Sequence, residues 1–345
     1  NSTSAPLLNP PIVLTMNFSV HFSTFGNLSR PMKTSKKISA LKIQKGIPQP
    51  DSINPFLKDS PKRSTKRHSL DYYTFGILKG ERAILSQAIT LIESTLPSDQ
   101  LLAQEIIEYC LPYSGKALRI GITGVPGVGK STFIEALGYS LVNKLDKRLA
   151  VLAIDPSSAR NKGSILGDKT RMEKLATHPN AFIRPSPSAG SLGGVAQKTR
   201  ESIILCEAAG YSVIFVETVG VGQSETAVHT MVDFFLLLML AGAGDELQGI
   251  KRGIMEMADV IVINKADGDN LLKAKLAKTE YANALHLYPN PPSQWTPKTT
   301  VCSAINGSGL EEIWEMILDY QSFTLSNGYF VKKRKDQDLL VLKKV

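Results

Sequence analysis

Eight consecutive residues have the types and the spacing needed to hold phosphate groups. They fit the pattern G-x-x-x-x-G-K-[ST] and are Gly124, Val125, Pro126, Gly127, Val128, Gly129, Lys130 and Ser131. Glycines let such a loop turn tightly and direct several backbone N–H groups at an oxyanion. The ammonium group of Lys130 can reach the β- and γ-phosphates, and the Ser131 hydroxyl can ligate Mg²⁺. Together with Thr132, which follows directly, this segment is predicted to bind a nucleoside triphosphate.

A second motif indicates which base that nucleotide carries. Its residues are Asn264, Lys265, Ala266 and Asp267, and they follow an apolar run typical of a buried strand. The aspartate of an N-K-x-D motif accepts hydrogen bonds from the N1–H and the exocyclic amine of guanine, a donor pair that adenine lacks. The expected third contact, through backbone N–H groups to the base O6, falls on Ser303, Ala304 and Ile305. The pattern predicts GTP rather than ATP.

Carboxylates near strand ends supply the predicted metal side of the site. Asp155 and Glu217 each end or follow a buried strand, and Asp168 lies in a glycine-bearing loop. Ligands of a parallel sheet bind at the carboxyl ends of its strands, and Mg²⁺ prefers oxygen donors. We expect these three carboxylates and Ser131 to hold Mg²⁺, and the Gly220 N–H to bind the γ-phosphate. The alternative is that the carboxylates are solvated helix caps.

Two glycine-rich loops, residues 220–225 and 241–246, belong to the same predicted edge of the sheet. Such loops can be ordered by a γ-phosphate and released on hydrolysis. Gln223 is a candidate for positioning the attacking water, and Lys251 for neutralising developing charge. Ordinary turns with a surface glutamine and a surface lysine are the alternative. The candidate catalytic residues are Lys130, Glu217, Gln223 and Lys251.

The rest of the chain supplies the elements that position these residues. Strands and helices alternate from residue 118 onward, which predicts an α/β P-loop NTPase fold with a mostly parallel sheet and helices on both faces. The predicted strands are 118–123, 149–154, 181–184, 212–217, 233–240, 260–263 and 299–303. The predicted helices of this part are 131–145, 195–209, 250–258, 269–287 and 309–323. Two further helices, 80–93 and 104–111, are predicted before the sheet.

These patterns divide the chain into four segments. They are a basic N-terminal segment 1–70, a helical extension 71–117, a P-loop GTPase domain 118–325 and a basic tail 326–345. From Met16, a candidate start, to Pro50 the chain is rich in Ser, Thr and basic residues and contains no acid. That composition is typical of a mitochondrial transit peptide, which predicts a matrix protein. A disordered tail or translated upstream sequence is the alternative.

Composition excludes several other classes of protein. The net charge of +9 is concentrated in the two terminal segments, which gives little reason to expect a nucleic-acid partner. Cys110, Cys206 and Cys302 are far apart and form no C-x-x-C pair, so neither a zinc site nor a disulfide framework is expected. The apolar run from Phe234 to Ala241 is far shorter than the roughly 20 residues of a membrane-spanning helix. We therefore expect a buried strand there and no membrane span.

Longer stretches of the chain resemble the family of the methylmalonic aciduria type A protein and its bacterial counterpart MeaB, once described as arginine/ornithine transport kinases. The resemblance covers roughly residues 80–335. The stretches that carry it are 124–137, Asp155-Pro156-Ser157-Ser158, 167–172, 183–187, 217–225 and 244–253. A P-loop alone would indicate only a superfamily, whereas these stretches together are specific to one family.

The resemblance implies a GTPase that acts as a chaperone of adenosylcobalamin-dependent methylmalonyl-CoA mutase and gates loading and reactivation of the cobalamin cofactor. By the same match, Asp155, Asp168 and Glu217 would surround Mg²⁺, and residues 240–251, including Lys251, would form a third switch. A cobalamin adenosyltransferase is a further candidate partner. Members of the family form homodimers through a helical C-terminal arm, which the last ten residues do not match, so we expect 326–345 to be a truncated remnant of it.

Three rival functions remain open at the level of sequence. In one, the basic terminal segments make the chain a nucleic-acid-binding or membrane-targeting protein, and removing residues 1–70 should abolish that activity but leave a GTPase chaperone intact. A metallochaperone GTPase would need thiolate or imidazole clusters to carry its metal, and the chain has none. A P-loop kinase of small molecules would be expected to prefer ATP, whereas the N-K-x-D motif favours guanine.

Overall fold

The computed structural model of the protein describes residues 68–154, 172–185, 192–218, 224–242 and 252–342. Seven strands within these residues form one parallel sheet in the order β3-β2-β4-β1-β5-β6-β7. Their bounds are β1 Leu118–Gly124, β2 Leu149–Ile154, β3 Ala181–Arg184, β4 Val213–Thr218, β5 Phe234–Leu240, β6 Val260–Asn264 and β7 Lys298–Val301. The predicted α/β fold with a parallel sheet is confirmed.

The order of the strands determines where a ligand can bind. β1 lies at the centre, paired with β4 on one side and with β5 on the other. The chain continues from β1 toward β2 on one side, whereas β6 and β7 extend the sheet on the opposite side. A crevice opens beyond the carboxyl ends of the strands where the direction of winding reverses. The loop after β1 lies at that crevice.

Helices flank the strands in nearly every connection. Their bounds are α1 Leu70–Leu78, α2 Arg82–Glu93, α3 Pro97–Cys110, α4 Lys130–Lys144, α5 Glu173–Thr177, α6 Leu192–Ala208, α7 Ser224–His229, α8 Arg252–Met257, α9 Leu271–Leu285, α10 Leu310–Ser326 and α11 Tyr329–Leu342. Short 3₁₀ turns occur at Leu111–Tyr113 and Gly268–Asn270. No helix among the described residues is long and apolar enough to cross a membrane.

Four of these helices are absent from the sequence-based prediction. α5 and α7 have only five and six residues, too few for a helical period to show. In α1 the buried residues include Thr74 and Gly76, so its inner face does not read as apolar. Gly76 is required there because a Cβ would lie 2.2 Å from Cδ1 of Ile84 in the neighbouring helix α2.

Alternate side chains of the central strands pack into two cores on opposite faces of the sheet. Ile120 and Phe234 belong to the core covered by α4, α9 and α10. Ile214 and Phe235 belong to the core covered by α6 and the three N-terminal helices. Strands buried on both faces read as continuous apolar runs, which is why they were recognisable in the sequence. The helical segment before β1 is therefore an integral part of the second core.

The last helix, α11, is attached to the sheet through buried charges. Arg334 donates hydrogen bonds to both carboxylate oxygens of Asp233 and, over 2.6 Å, to the carbonyl oxygen of Ala117. Lys333 Nζ donates to the carbonyl oxygen of Asp233 at 2.9 Å, and Gln337 Nε2 to that of Val232 at 2.9 Å. These contacts lie at the amino-terminal ends of β1 and β5, the end of the sheet opposite the phosphate-loop motif.

A histidine at the end of α7 makes stability depend on pH. Burial, and next the positive charge of Lys333, lower the pKa of His229 to about 4. Since the folded-state pKa is below the unfolded value, the unfolded chain takes up the proton first, and stability falls as the pH drops from about 6.5 toward 4. Over pH 7 to 5.5 this residue removes about 1 kcal/mol of the free energy of unfolding.

We expect His229→Gln to abolish that pH-dependent loss. The measurement is urea unfolding of both proteins at several pH values between 7 and 5. Asp259, whose pKa burial raises to about 6, changes stability in the opposite sense over an overlapping range. It is common to both proteins, so it cancels in the difference between their unfolding free energies. A difference that stays constant with pH would contradict the prediction.

Candidate nucleotide site

The phosphate-loop motif forms the connection from β1 to α4. Gly127 and Gly129 have φ angles of 76° and 90°, which L side chains rarely adopt. Gly129 is the N-cap of α4, whose first residue is Lys130. The free N–H groups at the start of this 15-residue helix therefore face the loop, an arrangement that favours anions.

Lys130 and Ser131 lie beside a buried carboxylate of the adjacent strand. Lys130 Nζ donates to the carbonyl oxygens of Gly124 at 2.9 Å and Val125 at 3.3 Å. Ser131 Oγ donates to Oε1 of Glu217 at 3.4 Å, and Glu217 is 7 % exposed at the end of β4. Burial lowers the pKa of Lys130, while Glu217 and Glu225 act to raise it. The structure thus brings together three of the predicted residues, Lys130, Ser131 and Glu217.

Asn264 ties the phosphate loop to the loop after β7. Its Nδ2 donates to the carbonyl oxygen of Val128 at 2.8 Å, and its Oδ1 accepts from the backbone N–H of Ala304 at 3.2 Å. Lys265 reaches the same phosphate loop, because its Nζ donates to the carbonyl oxygen of Gly127 at 2.8 Å. The phosphate loop and the two predicted base-contacting loops are therefore held together by direct hydrogen bonds.

Asp267 is oriented by the loop that follows β7. Its Oδ2 accepts a hydrogen bond from the hydroxyl of Ser303, which is fully buried. Backbone bonds hold the two loops in register, with Ala266 N–H donating to the carbonyl oxygen of Cys302 at 2.9 Å. Ile305 lies at the rim with 81 % of its surface exposed. The structure places Asp267, Ser303 and Ala304 side by side at the crevice.

The structure adds two features that the sequence patterns missed. Thr218 Oγ1 donates to Thr123 Oγ1 at 2.7 Å, which joins the ends of β4 and β1 beneath the phosphate loop. Glu225, in the first turn of α7, is buried and lies within electrostatic range of Lys130. Neither contact follows from spacing, although Glu225 ends the stretch 217–225 that carries part of the family resemblance.

The predicted site residues that lie outside the described residues are Asp155, Asp168, Gly220, Gln223 and Lys251.

Two glycines of the loop differ in what a side chain would contact, and this difference gives a testable prediction. A Cβ on Gly127 would contact nothing within 4 Å, whereas one on Gly129 would lie 3.3 Å from Nδ2 of Asn264. Gly127→Ala should cost only backbone strain, about 1 kcal/mol of the free energy of unfolding. Gly129→Ala should cost about 2 kcal/mol or more, since it also displaces Asn264 from Val128. Denaturant unfolding of the protein without nucleotide measures both values, and equal costs would contradict the prediction.

A parallel sheet with a phosphate loop after its central strand β1 and an N-K-x-D loop after β6, on the other side of β5, defines the class of P-loop GTPases. The chain belongs to the family described as methylmalonyl Co-A mutase-associated GTPase MeaB, whose model matches residues 85–345. GTPase activity and binding of guanine nucleotides come with membership of this family. The resemblance inferred from the sequence motifs is thereby confirmed.

Individual relatives agree with this assignment. The chain is 51% identical over 266 residues to the GTPase ArgK of Escherichia coli, covering 77% of this chain and 80% of that protein. It is 49% identical over 272 residues to the mouse protein named methylmalonic aciduria type A homolog, mitochondrial, covering 76% and 65% respectively. Among solved structures, one titled LAO/AO transport system kinase is similar with a TM-score of 0.69 and 43% identity, covering 80% of this chain and 82% of that one.

Proposed function

We propose that this GTPase is a chaperone of adenosylcobalamin-dependent methylmalonyl-CoA mutase and gates loading and reactivation of the mutase's cobalamin. The family description, which couples a GTPase to that mutase, carries the proposal. The hydrogen bonds from Asn264 to the phosphate loop and to Ala304 in the loop after β7 support it, because they join the loop that would hold the phosphates to the loop that would contact the base. Loops joined in this way can report the state of the γ-phosphate to a partner.

The described oxygen donors fit Mg²⁺ as the metal of the proposed reaction. Hydroxyl and carboxylate oxygens are the donors that Mg²⁺ takes in proteins, and Ser131 Oγ lies 3.4 Å from Glu217 Oε1. We propose that these two residues hold the ion, with Asp155 and Asp168 as the further carboxylates. When bound, the ion supplies charge neutralisation at the β- and γ-phosphate oxygens.

In the proposed reaction a water attacks the γ-phosphorus, the bond to the β–γ bridging oxygen breaks, and GDP and phosphate leave. Lys130 and the N–H groups at the start of α4 stabilise the charge that develops on the phosphate oxygens. We propose that Gly220 binds the γ-phosphate, that Gln223 orients the water, and that Lys251 neutralises charge from the third switch.

We propose that the chain acts in the mitochondrial matrix. Relatives in mouse and Caenorhabditis elegans are named as mitochondrial, and the acid-free basic segment before Pro50 is consistent with import. A cobalamin adenosyltransferase as second partner is a further proposal from the family resemblance.

The decisive experiment measures GTP hydrolysis with and without the methylmalonyl-CoA mutase of the same organism. We expect the mutase to bind the protein in the presence of GDP or a non-hydrolysable GTP analogue, and to stimulate phosphate release. Lys130→Ala is the control that should remove hydrolysis in both conditions. Absence of both binding and stimulation would overturn the chaperone function, and ATP-dependent phosphorylation of a basic amino acid would favour a kinase instead.

A further inference from the structure

Glu225 is a buried carboxylate next to the proposed phosphate and metal site. It is only 2 % exposed, and its Oε2 has no hydrogen-bond partner among the residues that the structure describes. A buried acceptor without a donor costs about 1–3 kcal/mol, and a charged one more. The Glu225 carboxylate is therefore expected to accept a hydrogen bond in the functional, ligand-bound state of the protein.

The backbone around Glu225 is held firmly against the sheet. The preceding residue, Ser224, is 1 % exposed, and Val228, one turn later in α7, is fully buried. Val228 packs on Gly121 of β1 so closely that a Cβ there would lie 2.9 Å from Cγ1 of Val228. Gly121 is only three residues before Gly124, where the phosphate loop begins. The position of Glu225 relative to that loop is therefore fixed by packing.

Glu225 lies in the same electrostatic surroundings as Lys130 and Glu217. Glu225 and Glu217 are two carboxylates within electrostatic range of one ammonium group, that of Lys130. Lys130 Nζ donates to two carbonyl oxygens of the phosphate loop rather than to either carboxylate. Glu217 in turn accepts from Ser131. Two carboxylates beside a hydroxyl supply the oxygen atoms that a hydrated divalent cation binds.

We infer that Glu225 accepts a hydrogen bond from a water molecule bound to Mg²⁺, and thereby positions the hydrated ion against the nucleotide. Mg²⁺ dehydrates reluctantly and usually keeps several waters, whose protons need acceptors. A hydrogen bond to a carboxylate is about twice as strong as one between neutral groups. The inference rests on the magnesium site of the proposed function. It adds a residue outside the set predicted to hold the ion.

The test measures how strongly Mg²⁺ and nucleotide favour each other's binding. The dissociation constant of a fluorescent GDP analogue is determined in EDTA and in millimolar Mg²⁺, and the ratio of the two values is the coupling factor. For Glu225→Gln we expect this factor to fall about tenfold, because the amide is a weaker acceptor for a metal-bound water. Glu225→Asp, which keeps the charge on a shorter side chain, should recover part of the factor.

Controls separate this role from a structural one and from pairing with Lys130. Glu207→Gln removes a fully buried carboxylate that pairs with Arg119 at the far end of the sheet, and it should lower the melting temperature without changing the factor. If Glu225 only balanced Lys130, Glu225→Gln would change both dissociation constants equally. An unchanged factor in Glu225→Gln overturns the inference. A wild-type protein whose affinity does not respond to Mg²⁺ instead overturns the proposed metal site.

Discussion

Asp267→Asn should weaken GTP binding at least a hundredfold and create affinity for xanthosine triphosphate. The carboxylate is expected to accept hydrogen bonds from N1–H and the exocyclic amine of guanine. An asparagine offers one acceptor and one donor, so the guanine amine would face an N–H group. Loss of one bond to a charged group and creation of a donor–donor contact cost about 3 kcal/mol, or two factors of ten in affinity. Xanthine carries a carbonyl oxygen in place of the amine and restores both bonds.

The comparison needs one control and two competing nucleotides. Asp267→Ala should lose affinity for GTP without gaining any for xanthosine triphosphate, since it offers neither acceptor nor donor. ATP should bind poorly to all three proteins. Affinities are measured by competition against a fluorescent nucleotide at constant Mg²⁺. If Asp267→Asn bound GTP as tightly as the wild type, Asp267 would not be the residue that reads the base, despite its contact with Ser303.

The sequence allowed prediction of the fold and the phosphate loop because both depend on local patterns. Strands such as β5 are apolar along their whole length, since they are buried on both faces. The phosphate loop is specified by residue types within eight positions, and Gly127 and Gly129 do adopt left-handed backbone conformations. The N-K-x-D residues were recognisable for the same reason.

Contacts between distant segments could not be predicted in this way. The bond from Asn264 to Val128 joins residues 136 positions apart, and its existence depends on β1, β5 and β6 lying side by side. In the sequence, Glu225 is one more polar residue of a glycine-rich loop; only the structure, in which it is 2 % exposed, shows that it is buried. Helix α11 was missed because it is polar and lacks an apolar period, and ion pairs attach it to the sheet.

Asp233→Ala should lower the free energy of unfolding by about 3–5 kcal/mol, because it breaks the ion pairs that attach α11 to the sheet. Asp233 is 1 % exposed; it accepts from the backbone N–H of Arg119 at 2.8 Å as well as from Arg334. Glu207, whose side chain is fully buried, pairs with Arg119 at 2.9 Å and lies 3.6 Å from Arg334. Removing Asp233 leaves Arg334 with one carboxylate fewer in a place that water barely reaches. That loss is a large fraction of a total stability of about 5–15 kcal/mol.

A double-mutant cycle distinguishes this explanation from a simple loss of packing. Arg334→Met removes the charge that loses its main partner in Asp233→Ala, so the double variant should be more stable than the sum of the two single losses predicts. The coupling should exceed 1 kcal/mol in denaturant unfolding, whereas additive losses would contradict the pairing.

Nucleotide affinity should be unchanged in every folded variant. Asp233 precedes β5, and the phosphate loop begins where β1 ends, about 20 Å away along a strand of seven residues. Substitutions at the Asp233 end of the sheet can thus change the stability of the fold without changing nucleotide binding at the phosphate-loop end.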